Sequence, residues 1–199
     1  MIKKITKVIL SLTLILLLWN CGGVPPTYYY RIHYDLPKHN SPTPLPITIG
    51  IGPFDSDVMY KGDRIVYRNS EYEVQFYHYR RWVAPPNKIV GEKTLEQFQS
   101  SGIFQKVVNL PSLTKVDYLL KGNIKAFEEW DEDNSWFGLV TIAFELKNNE
   151  TNETIWQNVI SEKTQVLQKE PAEVVKAISE SLKKVVEQAI QETEKNLKS

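Results

Sequence analysis

The stretch "PAEVVKAISESLKKVVEQAIQETEKNL", Pro171 to Leu197, constrains the fold most. Val175, Ile178, Leu182, Val185, Ala189 and then Ile190 recur at spacings of three and four, with Lys and Glu between them. That period draws one apolar stripe along an α-helix of about 25 residues. A one-sided stripe of that length needs a second layer to cover it. The remaining sequence supplies strands for that layer.

Tyr28 to Leu36, "YYYRIHYDL", is rich in strand-forming aromatics and reads as a first strand. Pro37, Pro42, Pro44 and Pro46 then impose an extended loop. "ITIGIGPF" alternates Ile47, Ile49 and Ile51 with Thr48, Gly50 and Gly52, a period of two. Its bare glycine face has room for something to cross it, and a helix is the expected occupant. "DSDVMYKGD" reads as a loop. Ile65–Arg68 and Glu71–Trp82 read as a hairpin about Asn69-Ser70. Apolar character on the second strand changes sides near Phe76-Tyr77, so either a bulge lies there or both faces are covered.

Pro85-Pro86 opens a helix with Val90, Leu95 and Phe98 toward the sheet, and Gly102 stops it. "FQKVVNL" is a short strand, and Asp117–Glu129 is another, with Tyr118, Leu120 and Ile124 on one face. Trp136–Leu146 and Thr154–Thr164 form a long hairpin. The predicted class is α+β: a mixed, mainly antiparallel sheet with two helices packed on one face.

The N-terminus carries Lys3, Lys4 and Lys7 before the apolar run Val8–Leu18. That run is short of the ~20 residues that span a bilayer, but it suits the apolar core of a secretory signal. Cys21 follows at once and is the only cysteine, so no intramolecular disulfide forms. "LWNC" resembles a bacterial lipobox, with Leu18 in its usual place and Asn20 where a small residue is usual. That resemblance implies a signal peptide over residues 1–20, diacylation of Cys21 (palmitate-type chains) and a tether over 21–27. A single domain over 28–199 follows. Gly22 after the cysteine favours the outer over the inner membrane, on the periplasmic side. Loss of the three signal lysines leaves 21 basic against 24 acidic residues, a net charge of −3. Such a chain has no overall field for nucleic acid, even with "FYHYRRW" offering interleaved aromatics and arginines.

Chemistry is sparse. His33, His39 and His78 are scattered, with no metal-ligand spacing between them. G-x-S-x-G, phosphate-loop and H-E-x-x-H motifs are absent from the sequence. The acidic run Glu128, Glu129, Asp131, Glu132, Asp133 lacks the glycine of a calcium loop and reads as a solvated turn between strands. No catalytic residue, metal site or cofactor is called, and the chain is read as non-enzymatic.

The order of segments resembles the ABC-type transport auxiliary lipoproteins, accessory components of MCE-domain lipid-transport systems. The resemblance rests on the strand after the acylated cysteine, "ITIGIGPF", "RIVYR", "FYHYRRWVAPP", "DYLLKGNIKAFE", the long hairpin and the C-terminal helix. It covers most of residues 28–190. It implies an accessory lipoprotein that helps to move phospholipid between inner and outer membranes. The partners implied are an MCE-domain protein and its ABC permease and ATPase, with a homo-oligomer left open. Tyr67, Tyr77, Tyr79, Arg81 and Trp82 are the candidate partner interface, against the alternative that these aromatics are core. Two other readings stay open: a structural lipoprotein assisting outer-membrane assembly, and a periplasmic module with its own ligand.

Overall fold

The computed structural model describes residues 23–36 and 43–198; Cys21, His39 and the apolar run before Cys21 lie outside them. The strands are β1 (Tyr28–Tyr30), β2 (Leu45–Ile51), β3 (Asp55–Ser56), β4 (Arg64–Arg68), β5 (Gln75–Trp82), β6 (Phe104–Asn109), β7 (Tyr118–Glu132), β8 (Ser135–Asn148) and β9 (Thr154–Gln165). The helices are α1 (Pro86–Ser101) and α2 (Pro171–Leu197), with a 3-10 turn at Val58–Tyr60.

β7 organises the sheet. Its one edge pairs antiparallel with β8, which pairs antiparallel with β9. Its other edge is shared by β2, β3 and β4, all parallel to it and met in chain order. Residues 45–68 thus behave as one long strand interrupted at Pro53 and again by the 3-10 turn, since Pro cannot donate to a ladder. β6 extends the sheet beside β2, and β5 then β1 extend it beside β4. The mixed α+β architecture is as the sequence predicts, and its longest pairs are the antiparallel ones of the β7–β8–β9 meander.

Along β8 the even positions Val140, Ile142, Phe144 and Leu146 are buried while the odd ones are half-buried. The even face meets the helices. α2 buries Val174, Val175, Ile178, Leu182, Val185, Val186, Ala189 and Ile190 against it, and each Val, Leu or Ile among them contributes roughly 1.5–3 kcal/mol on burial. α1 covers the β2–β6 half, burying Ile89, Val90 and Phe98 with Thr94 and Gln97; Leu95 is only half-buried. Pro86 sits in its first turn, and Gly102 ends it in the left-handed conformation, φ 62°. Residues 31–36 bind both helices. The His33 amide donates to Ser179 Oγ (3.4 Å), and Tyr34 Oη donates to Gln97 Oε1 (3.1 Å). Gln97 Nε2 in turn donates to the Lys183 carbonyl (2.9 Å).

Four local expectations are corrected. The first strand is Tyr28–Tyr30 rather than Tyr28–Leu36, because Ile32 to Tyr34 leave the sheet to pack on the helices. "DSDVMYKGD" is not all loop: it holds β3 and the 3-10 turn. No helix crosses Gly50 and Gly52; a Cβ at Gly50 would meet Leu110 and Val116, from the connection after β6, and one at Gly52 would meet Leu119 and Lys121. The glycine that admits a helix is Gly138, where a Cβ would lie 2.3 Å from the Ile178 amide nitrogen and 2.5 Å from the Ala177 carbonyl carbon. Finally, β5 begins at Gln75, so the hairpin turn is longer than Asn69-Ser70. The change of faces on β5 is a bulge: Val66 pairs with Phe76 but Arg64 pairs with Arg81.

Candidate partner-contact hairpin and the carboxylates beneath it

The β4–β5 hairpin holds all five candidate interface residues, and the bulge sends them to different places. Trp82 is a core residue, 1% exposed, with its ring 5.1 Å from Phe127. Tyr67 and Tyr77 are half-buried and lie ring to ring at 4.9 Å. Tyr67 Oη donates to Gln75 Oε1, which it faces across the ladder. Tyr79 is 40% exposed. Arg81 is half-buried and ion-paired with Asp63 at 2.8 Å. Arg80 lies over the Tyr77 ring at 5.0 Å, and Arg64 over Phe76 at 5.2 Å. The surface the hairpin offers is therefore Tyr79 with the flanks of Tyr67, Tyr77 and Arg81, and Tyr72 of the turn, 98% exposed.

The hairpin is fastened to β7 through two residues that the sequence assigns to a solvated turn. Glu128 and Glu129 are 0% and 1% exposed, inside β7 and not in the turn. The turn itself is Asp133-Asn134, both at positive φ, joining β7 to β8. Glu128 and Glu129 are adjacent on a strand, so they point to opposite faces. Glu129 pairs with Gly138 and faces the helix layer; Glu128 pairs with Leu139 and faces away.

Away from the helices, Arg68 grips Glu128 through two nitrogens, Nη2–Oε1 at 2.6 Å and Nε–Oε1 at 3.0 Å. Tyr60 Oη donates to Glu128 Oε2 at 2.6 Å. Burial, and then the Glu128 charge, push the Tyr60 hydroxyl pKa up. The hydrogen bonds to Glu128 raise that of Arg68. Arg68 also lies over Trp130 at 5.1 Å. Charge is thus matched and the hydrogen-bonding capacity largely used, as a buried pair requires.

On the helix side, Tyr77 Oη donates to Glu129 Oε2 at 2.8 Å. Glu129 takes no full ion pair. Burial pushes its pKa up to about 7; the Tyr77 bond opposes this, the Asp131 carboxylate adds to it, and Arg80 lowers it. Asp131 is itself raised, first by burial. Two carboxyl groups two residues apart on one strand face, Glu129 buried and Asp131 half-buried, thus share a site with a tyrosine hydroxyl. The signal that could have located them was the length of the apolar alternation: "AFEEW" continues β7 without a turn former.

Among the described residues, no group of three or more His, Cys, Asp or Glu is placed to hold a metal, and no helix is long and apolar enough to cross a membrane. An open hollow of about 570 Å³ lies over Asn123, Ala143, Glu145, Gln157 and Val159, on the meander. Its lining includes no nucleophile–histidine pair.

Residues 34–189 match the family described as ABC-type transport auxiliary lipoprotein component. The chain belongs to that family. The fold agrees: protein XCC0632 from Xanthomonas campestris superposes with a TM-score of 0.78 at 16% identity, over 86% of this chain and 97% of that one. A crystal structure of an uncharacterized protein gives 0.69 at 12% identity, over 85% and 99%. The hypothetical protein CT253 from Chlamydia trachomatis gives 0.50 at 7% identity, over 75% and 96%. At these identities the likeness is one of fold. No curated protein matches the sequence. The match spans β4, β5, β7 and both carboxylates, so hairpin and fastening both fall inside the family's region. Membership makes this chain an auxiliary lipoprotein component of an ABC-type transport system.

Proposed function

We propose that the protein is a membrane-anchored periplasmic lipoprotein serving an MCE-type ABC system that moves phospholipid between inner and outer membranes. Its role is accessory and non-catalytic. Residues 1–20 are the signal peptide, Cys21 carries the acyl chains, the tether runs over 21–27, and the outer membrane is the favoured site. Family membership over residues 34–189 carries the reading. The hairpin supports it: its exposed aromatics stand on strands fixed by hydrogen bonds on both sheet faces. A rigid aromatic surface with an arginine at its margin suits a protein partner, because little order is lost on docking.

The MCE-domain protein would dock on Tyr79 and the exposed flanks of Tyr67, Tyr77 and Arg81. Trp82 supports that surface from the core. Tyr79→Asp is the cleanest test, because Tyr79 is exposed while Tyr77 also holds Glu129. It should cut co-purification of the MCE partner at least tenfold, roughly what losing about 1.4 kcal/mol does, with unchanged urea unfolding. Undiminished capture of the partner would remove the hairpin from the interface. Cys21→Ser should shift the protein out of the membrane fraction and abolish acyl labelling. Normal fractionation and labelling of that variant would end the anchor reading.

A further inference from the structure

Exposed large apolar side chains gather at one edge of the molecule. Among the described residues there are ten; three of them, Tyr28, Tyr29 and Val83, sit where β1 meets the end of β5, Val24 lies four residues before Tyr28, and Tyr79 stands at the border. β1 forms this edge against the last residues of β5, Tyr28 opposite Arg80 and Tyr29 opposite Arg81. The Val83 amide donates to the Tyr30 carbonyl at 2.9 Å. Residues 23–31 and 79–84, which build the edge, contain Arg31, Arg80 and Arg81 and no acidic residue. Arg81 is paired with Asp63, while Arg31 is exposed.

The chain reaches the same place. The described residues begin at Gly23, and only Gly22 stands between it and Cys21. Two Cα steps of about 3.8 Å put the Cys21 Cα within about 8 Å of that of Gly23. Acyl chains on Cys21 would therefore leave the protein beside Val24, at most about 25 Å along the chain from Tyr28.

The geometry points to this edge as a membrane foot. Tyr28, Tyr29, Val24 and Val83 enter the headgroup layer of a bilayer containing anionic phospholipid, and Arg31 and Arg80 meet lipid phosphates. This rests on the acylation of Cys21 proposed above. Tyrosine rings are suited to the membrane–water boundary, apolar in body and polar at the tip. Guanidinium forks fit phosphate oxygens, and each cation near an anionic surface strengthens binding about fivefold. A short tether holds the edge at high effective concentration, so modest contacts suffice to orient the domain. The Gln75 end of β5 then lies roughly 17 Å along the strand from the foot, so Tyr67 and the exposed turn around Tyr72 stay off the lipid, and Tyr79, at the border, is left to the partner surface proposed above.

The test uses the mature lipidated chain in vesicles whose acyl chains carry bromine, a contact quencher. A polarity-sensitive dye is placed at Thr27→Cys, beside the foot, or at Leu113→Cys, in the exposed β6–β7 connection on the far side of β7 from β1. In phosphatidylglycerol-containing vesicles the dye at position 27 should be quenched severalfold more than the dye at 113. Tyr29→Ser with Arg31→Glu should reduce that quenching to the level seen in phosphatidylcholine alone, while the protein stays vesicle-bound. Equal quenching at both positions, or quenching unmoved by the double substitution, would overturn the foot and leave the anchor intact. So would sedimentation showing a dimer that buries this edge, which would assign it to a second copy. If the mass of the Cys21 peptide shows no acyl group, the anchor fails separately. Flotation of that protein with phosphatidylglycerol vesicles then decides the foot: co-flotation lost in the double variant supports it, and no co-flotation overturns it.

Discussion

Glu128 and Glu129 are neighbours in β7, equally buried, and held in different ways. Glu128 meets a guanidinium and a tyrosine hydroxyl. Glu129 meets a tyrosine hydroxyl and a second carboxylate, and its pKa rises to about 7. Burial alone therefore does not set the behaviour of a buried acid; the charge of its partners does. Each carboxylate holds one strand of the same hairpin: Glu128 holds Arg68 of β4, and Glu129 holds Tyr77 of β5. One fastening is an ion pair; the other is a tyrosine hydrogen bond that favours the ionised carboxylate while burial opposes it.

The largest expected effect breaks the Glu128 side. Arg68→Ala leaves a fully buried carboxylate without its cation and should cost about 3–5 kcal/mol, read as a lower urea midpoint. A loss below about 1 kcal/mol, the scale of a surface pair, would mean that the pair is not the clamp described here.

The second prediction isolates Glu129. Its pKa is higher in the folded chain than in the unfolded one, so the folded state binds the proton more tightly. This contribution to stability is present in full below the ordinary glutamate range, near 4.5, and is lost as pH rises through about 7. The loss amounts to at most about 3 kcal/mol. Glu129→Gln should flatten the urea midpoint between pH 4.5 and 7.5 relative to the parent. Parallel profiles for the two proteins would place the titrating group elsewhere.

The smallest effect refines the comparison. Tyr77→Phe removes one hydrogen bond and should cost about 1 kcal/mol. Because that bond lowers the Glu129 pKa, its removal should move the stability transition to higher pH. A transition moving to lower pH would reverse the assigned role of Tyr77.

Much of the fold was legible because it follows from period. The α2 stripe, the β8–β9 hairpin, Pro86 and Gly102 at the ends of α1, and the face change on β5 all rest on local spacing. What period does not carry is partnership across the chain. "EEWDED" looks like a solvated turn until Arg68 and Tyr60, 60 and 68 residues away, are found beside it. Gly138 was invisible for the same reason, since its role depends on where α2 crosses β8. Within the candidate interface, Trp82 and Tyr79 are alike as sequence, and the bulge separates them into core and surface.

The most direct test of the functional account is affinity capture of the lipidated protein from its own membranes, with partners identified by mass. The account predicts an MCE-domain protein together with its permease and ATPase, and their loss with Tyr79→Asp. Capture of outer-membrane assembly components without any transporter subunit would contradict it.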